Sequence, residues 1–276
     1  MILVTGATGN VGREVAAALA AAGEPVRALA RSGAPADAPS GAEYVTGDLN
    51  KPETLTPALR GARGLFLLPG YEGTAELLAE AGRAGVEHVV LLSGSSAESG
   101  DLANAVSRYM IEAETAVRAS GLAWTIVRPS GFMSNTFEWI PQLKAGDVVR
   151  APFAGVPIAV IDPVDIGAVA AASLLRDGHR GRVHRVTGPE PLRPADRLRI
   201  LGEVLGRDLR LDAQPDDEAR AEMLRNMPEK YVDAFFDFYV AGSLDESVVT
   251  TTVRDVTGRP PRTFEQWAAA HTASFA

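Results

Sequence analysis

Residues 5–12 read Thr5-Gly6-Ala7-Thr8-Gly9-Asn10-Val11-Gly12 and follow directly on the apolar run Ile2-Leu3-Val4. An Ala-rich stretch with helical spacing comes next. Strand, glycine-rich turn and helix start, in that order, build an anion site out of backbone. Gly6 permits a tight turn, Gly9 lets the main chain approach a pyrophosphate, and Gly12 lets the helix pack closely on the strand. Three glycines alone mark many turns. The TGxxGxxG spacing between a strand and a helix makes a dinucleotide site the expectation over a plain strand-to-helix turn.

Apolar runs then alternate with helical patterns. Strands are expected at Ile2–Val4, Val26–Ala30, Glu43–Val45, Gly64–Leu68, His88–Leu92 and Trp124–Val127, several apolar on both faces as a covered parallel sheet requires. Helices are expected near 11–22, 52–60, 73–84 and 104–120. Val11, Val15, Leu19 and Ala22 form one stripe on the first, and Gly23 sits just past its end. The alternation predicts an α/β, doubly wound Rossmann-type parallel sheet with its ligand at the carboxyl ends of the strands. Beyond residue 130 the rhythm changes. Strand-like Val148–Arg150, Pro157–Ile161 and Val183–Val186 are interleaved with helices near 163–176, 195–206 and 229–240. This suggests a small C-terminal α+β substrate lobe. Residues 1–130, with returning segments near 157–190, would form the nucleotide domain, and most of 131–276 the lobe. The Ala34–Ser40 stretch is read as a mobile loop.

Composition removes several function classes. The chain of 276 residues has no cysteine, so thiolate catalysis, disulfides and Cys-ligated metals are out. A net charge of −8 with scattered basic residues argues against nucleic acid as partner. No apolar run reaches the about 20 residues of a membrane span, so no membrane partner is expected. Strand one begins at Met1, leaving no room for a signal peptide, and a cytoplasmic location is expected. The four histidines (His88, His179, His184, His271) share no ligand spacing, so no metal is proposed.

The end of the second strand separates the two nicotinamide cofactors. An acidic residue there meets a ribose hydroxyl, and a basic one meets the 2′-phosphate. Here Arg31 and Ser32 stand in that place, so NADP(H) is preferred, the alternative being a solvated strand-end arginine. After the third strand, Asp48 can accept from an adenine amino group with Leu49 against the ring, or it simply turns the chain.

TGATGNVG, VRALARS, GDL, AGVEHVVLLSG and ASGLAWTIVRPSGFMSN together resemble the NmrA-like atypical short-chain dehydrogenase/reductases. IDPVDIGAVAAASLL, VTGPEPL and VTGRPPRTFEQW fit the same family, so the resemblance covers essentially the whole chain. It implies NADP(H), a Rossmann domain and a small substrate lobe. Family members include reductases of quinones, other carbonyls and alkenes, and also redox-sensing regulators that turn nothing over. By resemblance, Gly6, Thr8, Gly9, Asn10, Val11 and Gly12 would hold the pyrophosphate. Leu68, Pro69 and Gly70 would lie along the ribose. Ser93 and Gly94 would end the fifth strand, where the larger superfamily carries a catalytic serine. Pro129, Ser130, Gly131 and Phe132 would flank the nicotinamide.

The chain departs from that superfamily in one respect. Most members carry Tyr-x-x-x-Lys on a helix, the tyrosine as proton donor and the lysine lowering its pKa. Aligned on Glu114 and the ASGL that follows, Val106 stands at the tyrosine position and Met110 at the lysine position. Tyr109 is the nearby phenol, read either as a donor or as an amphipathic tyrosine packed on its helix. Ser93, Ser95 and Ser96 are further candidate donors.

Asp162-Pro163-Val164-Asp165 reads better as a helix start than as a carboxylate pair, and Thr263 with Gln266 as a capping box. Tyr231, Phe235, Phe238 and Tyr239 share one helix face, either lobe core or a wall for a planar ligand. Phe132, Met133, Asn135, Phe137 and Trp139, just past the sixth strand, are the pocket candidates. The helix at 104–120 offers a face for a second copy of the chain or for packing within it. An NADPH-dependent reductase of a quinone or related carbonyl or enone aromatic is the leading expectation. An NADP(H)-sensing regulator is the alternative, and an isomerase or dehydratase a weaker one.

Overall fold

The computed structural model describes residues 1–31, 33–34 and 41–275. Ser32 and most of the Ala34–Ser40 stretch fall outside them. Seven parallel strands form the central sheet: β1 (Ile2–Val4), β2 (Val26–Ala30), β3 (Ala42–Thr46), β4 (Gly64–Leu67), β5 (His88–Leu92), β6 (Ala123–Pro129) and, later in the chain, β8 (Arg182–Val186). Their order is β3-β2-β1-β4-β5-β6-β8. The order reverses between β1 and β4, and the crevice outside the carboxyl ends at such a reversal is where open α/β sheets bind ligands.

Helices cover both faces. α1 (Asn10–Ala21) and α6 (Pro163–Leu175) lie on one, α3 (Thr74–Arg83) and α4 (Ala105–Ala119) on the other, with the short α2 (Thr56–Leu59) near the β3 edge. Successive strand residues point to opposite faces. Ile2 and Val4 therefore pack with Val15, Leu19, Ile166 and Val169, while Leu3 packs with Leu65, Leu77 and Val117. The sheet is apolar on both sides for this reason. α4 packs within the chain against α3 and α9 (Glu229–Tyr239).

A third apolar cluster lies beyond β6 and joins Met133, Trp139, Leu143, Val149, Phe264, Trp267 and Phe275. It is framed by α5 (Ile140–Ala145), α7 (Pro194–Leu205) and α11 (Phe264–Ala270). There β7 (Val148–Ala151) pairs in parallel with β9 (Arg210–Ala213) as a separate two-stranded sheet. α8 (Asp216–Asn226) and α10 (Thr252–Thr257) complete the chain. No helix among the described residues is long and apolar enough to cross a membrane.

Caps match their sequence signals. Asp162 accepts from the Val164 amide at the start of α6, Thr263 and Gln266 form a reciprocal capping box on α11, and Gly23 takes φ +76° just past α1. One expectation needs correction. Pro157–Ile161 is not a strand: Pro157 cannot donate to a ladder, and only the single bridges Ile158 to Leu192 and Phe132 to Ile161 form. Val183–Val186, within the returning 157–190 stretch, lies in the large sheet and pairs in parallel with β6.

Candidate functional site

Gly6 has φ +61°, and a side chain there would also run into Leu68. A Cβ on Gly12 would stand 2.2 Å from the Gly6 carbonyl oxygen, so α1 begins as close to the β1 turn as backbone allows. α1 has no side-chain N-cap. The free amides of its first turn point out of this cradle, as an anion requires. The sequence thus fits a dinucleotide pyrophosphate.

Two clefts meet at the cradle. The first, about 300 Å³, is lined by Gly6, Thr8, Gly9, Arg31, Asp48, Leu49 and Leu68, with Leu29, Asn50 and Tyr71. Arg31 is exposed at its edge. Asp48 accepts from the Asn50 amide at 3.0 Å, turning the chain, while Leu49 is buried in the core beneath. The second cleft runs the other way from Thr8, Gly9 and Asn10 to Ser134, Phe137, Asp162, Trp267 and His271. Asn10 donates to the Ser134 hydroxyl at 3.2 Å, tying the start of α1 to the chain after β6. Val11 and Gly12 are buried against the sheet.

The strand ends carry the remaining candidates. Pro129 closes β6, and the Ser130 hydroxyl donates to the Ala159 carbonyl. Gly131 and Phe132 open a third cavity of about 310 Å³, walled by Trp139, Phe153, Phe235 and Tyr239 and floored by Ile158 and Val160. Asn135 lines it too. Met133 and Phe137 do not: Met133 is in the lobe's apolar cluster, and Phe137 packs on Trp267, His271 and Phe275. Phe153 holds φ +53°, rare for a residue with a side chain, with its ring edge-on to Phe236 and tilted on Tyr239.

Hydroxyls near the strand ends are committed elsewhere. Ser93 donates to Glu114, which also accepts from Arg118 and from both Nε and Nη2 of Arg128. Burial pushes the Glu114 carboxyl up, but these bonds and the Arg128 charge outweigh it and hold it below the usual carboxylate range. Ser95 and Tyr239 both donate to the buried Glu246 carboxylate, at 2.6 and 2.9 Å. Gly94 lies against Met110. Tyr109 stands beside Gly70 in a separate recess with Tyr71 and Thr74, and burial raises its phenol. It does not line the aromatic cavity.

The family model described as NAD(P)H-binding matches residues 6–174. The chain belongs to the NAD(P)H-binding family. It is 42% identical over its whole length to a (4-alkanoyl-5-oxo-2,5-dihydrofuran-3-yl)methyl phosphate reductase of Streptomyces griseus, 99% of which is covered. It is 36% identical, again over its whole length and 99% of the relative, to an NAD(P)H azoreductase of Xenophilus azovorans. In fold it matches the NADPH-complexed quinone oxidoreductase QOR2 of Escherichia coli, with TM-score 0.80, 22% identity, and 99% and 100% of the two chains covered. The protein is an NAD(P)H-dependent oxidoreductase of this family.

Three parts of the aromatic cavity escape a sequence reading. Arg197 lines the aromatic cavity from α7, Phe153 from the loop after β7, and Met223 and Met227 from the end of α8. Phe235 and Tyr239 line it as well, while Phe238 of the same helix is buried. The aromatic spacing on α9 was the available signal, and one helix serves as both wall and core.

Proposed function

We propose that the protein is an NADPH-dependent reductase of a quinone or a related carbonyl- or enone-bearing aromatic small molecule. One observation carries this reading: Gly131 and Phe132, which directly follow the carboxyl end of β6, form a wall of the aromatic cavity. A flat acceptor between Trp139, Phe235 and Tyr239 would lie beside that strand end.

The first-turn amides of α1 hold the pyrophosphate, Arg31 takes the 2′-phosphate, and Asp48 with Leu49 meets the adenine. Leu68, Pro69 and Gly70 run along the ribose, and Pro129 to Phe132 bound the nicotinamide. When bound, the cofactor supplies a hydride. The aromatic walls exclude water and fix the acceptor's plane. Val106 and Met110 transfer no proton, and the Ser93 proton is held by Glu114. A quinone accepts hydride readily, and the stabilised oxyanion left on it can take its proton from water. The Streptomyces relative's name specifies a conjugated oxo-dihydrofuran and the Xenophilus relative's an azo group. Both are electron-poor double bonds, which favours turnover over a sensing role.

NADPH oxidation followed at its near-ultraviolet absorbance, with a panel of quinones and cyclic enones, tests the proposal. Many turnovers per protein with at least one acceptor are expected, with NADPH preferred to NADH. Tight NADPH binding with no acceptor reduced would overturn it.

A further inference from the structure

Among the described residues lining the aromatic cavity, Arg197 is the cation and Glu138 the acid. Arg197 projects from the first turns of α7 with its guanidinium carbon 5.1 Å from the centre of the Trp139 ring. Its Nε is buried without a hydrogen-bond partner. The guanidinium makes no hydrogen bond or ion pair among the described residues; Glu138 and the Tyr239 phenol act on it only through space. The contrast with Arg207, at the other end of the same helix, is plain. That side chain holds Asp147 and the Leu143 and Gly146 carbonyls.

A guanidinium offers five donors in a fixed planar fork, and a buried donor left unpaired is costly. Such a group is tolerated where a ligand brings the acceptor. Burial pulls Arg197 down to about 10, which still leaves it charged at neutral pH. Apart from Asn135 the remaining lining is aromatic, aliphatic or glycine, and the buried Glu246 carboxylate, which accepts the Tyr239 hydroxyl at 2.9 Å, does not itself line the cavity.

We propose that Arg197 anchors an acidic substituent of the acceptor, a phosphate, sulfonate or carboxylate, while the ring bearing it lies among Trp139, Phe235 and Tyr239. This rests on reading the cavity as the acceptor site. It assigns orientation as well as class: the acidic end at α7, and the reducible bond toward Gly131 and Phe132.

Two acceptors differing in one substituent, 1,4-naphthoquinone and its 2-sulfonate, provide the test. Arg197→Gln is expected to raise KM for the sulfonate at least about tenfold while changing KM for the neutral quinone less than about threefold, as loss of one partner of a desolvated charge pair does. Arg197→Lys should recover part of the loss, because it keeps charge without the fork. Equal effects on both acceptors would overturn the proposal.

A second arm needs no turnover: equilibrium dialysis of naphthalene-2-sulfonate against the NADPH-loaded protein, which keeps the cofactor cleft and Arg31 occupied. Binding that weakens at least about tenfold in Arg197→Gln supports the anchor even if no quinone is reduced, a result that would sink the proposed function alone. Quinone reduction with dialysis indifferent to Arg197 sinks the anchor alone. Glu138→Gln, at the cavity mouth, removes the opposing charge and should tighten the sulfonate. It serves as the check should the Arg197 variants misfold, and unchanged or weaker binding would then count against the anchor.

Discussion

Ser93 donates its hydroxyl proton to Glu114 across 2.6 Å, at the strand end where short-chain reductases commonly keep a catalytic serine. The bond joins β5 to α4, and Arg128 of β6 completes it from the next strand. The serine therefore belongs to a buried ionic network spanning two strands and a helix.

Ser93→Ala is expected to lower unfolding free energy by about 1.5–3 kcal/mol, the range for a hydrogen bond to a charged group, and to leave kcat within about twofold. Urea unfolding and steady-state turnover check the two halves. A tenfold loss of kcat at unchanged stability would return Ser93 to the reaction.

Arg31→Asp should weaken NADPH binding at least about tenfold more than NADH binding, since a bidentate partner of phosphate becomes a like charge. Fluorescence titration with both cofactors measures the ratio. Equal losses would mean that Arg31 is simply a solvated strand-end residue.

Tyr109→Phe should leave turnover within about twofold, far short of the hundredfold or more that general acids supply. The recess holding Tyr109 is not the aromatic cavity, and burial raises its phenol further from a useful acid. A tenfold or greater fall in kcat would make Tyr109 the donor after all.

Acid should destabilise the fold in a defined window. Burial, foremost, holds His88 and His184 down to about 4, against an ordinary value of 6.5. Both stay neutral in the folded chain while the unfolded chain takes up protons first. Stability is thus complete above pH 6.5 and falls as pH drops toward 4, by up to about 1.4 kcal/mol per pH unit for each histidine. Glu114, held below its ordinary value, extends the loss to lower pH. Urea midpoints from pH 7.5 to 4.5 should show this slope, and His88→Gln should reduce it.

Much of the nucleotide half was legible because its signals are local. The TGxxGxxG turn, the two-faced apolar strands and the capping residues each act within a few positions. The lobe was less so. Arg197 lies in the polar-looking run Pro194-Ala195-Asp196-Arg197 and reads as a solvated helix face. Half-buried, it stacks on Trp139, nearly sixty positions earlier in the chain. Asp216–Asn226 carries three acids in its first turn but little apolar periodicity, and the sequence reading placed no helix there. Met133 and Phe137 were grouped with Phe132 and Trp139 by proximity in sequence. The 3₁₀ turn over Met133–Trp139 sends these neighbours in different directions.

α6 crosses α1 at Gly167, where a Cβ would stand 2.7 Å from the Glu14 backbone. One of these helices begins at the phosphate cradle. The other begins at Asp162, next to Ile161, whose backbone bridges Phe132 at the cavity edge. In the function proposed above, donor and acceptor would share this frame, the distance between them set by a helix crossing rather than by a loop. On that proposal no side-chain acid contributes, alignment is the main rate advantage left to the protein, and a shift of about 1 Å can cost about a hundredfold. A methyl group at position 167 would act as a shim, far from either ligand yet altering the spacing between them.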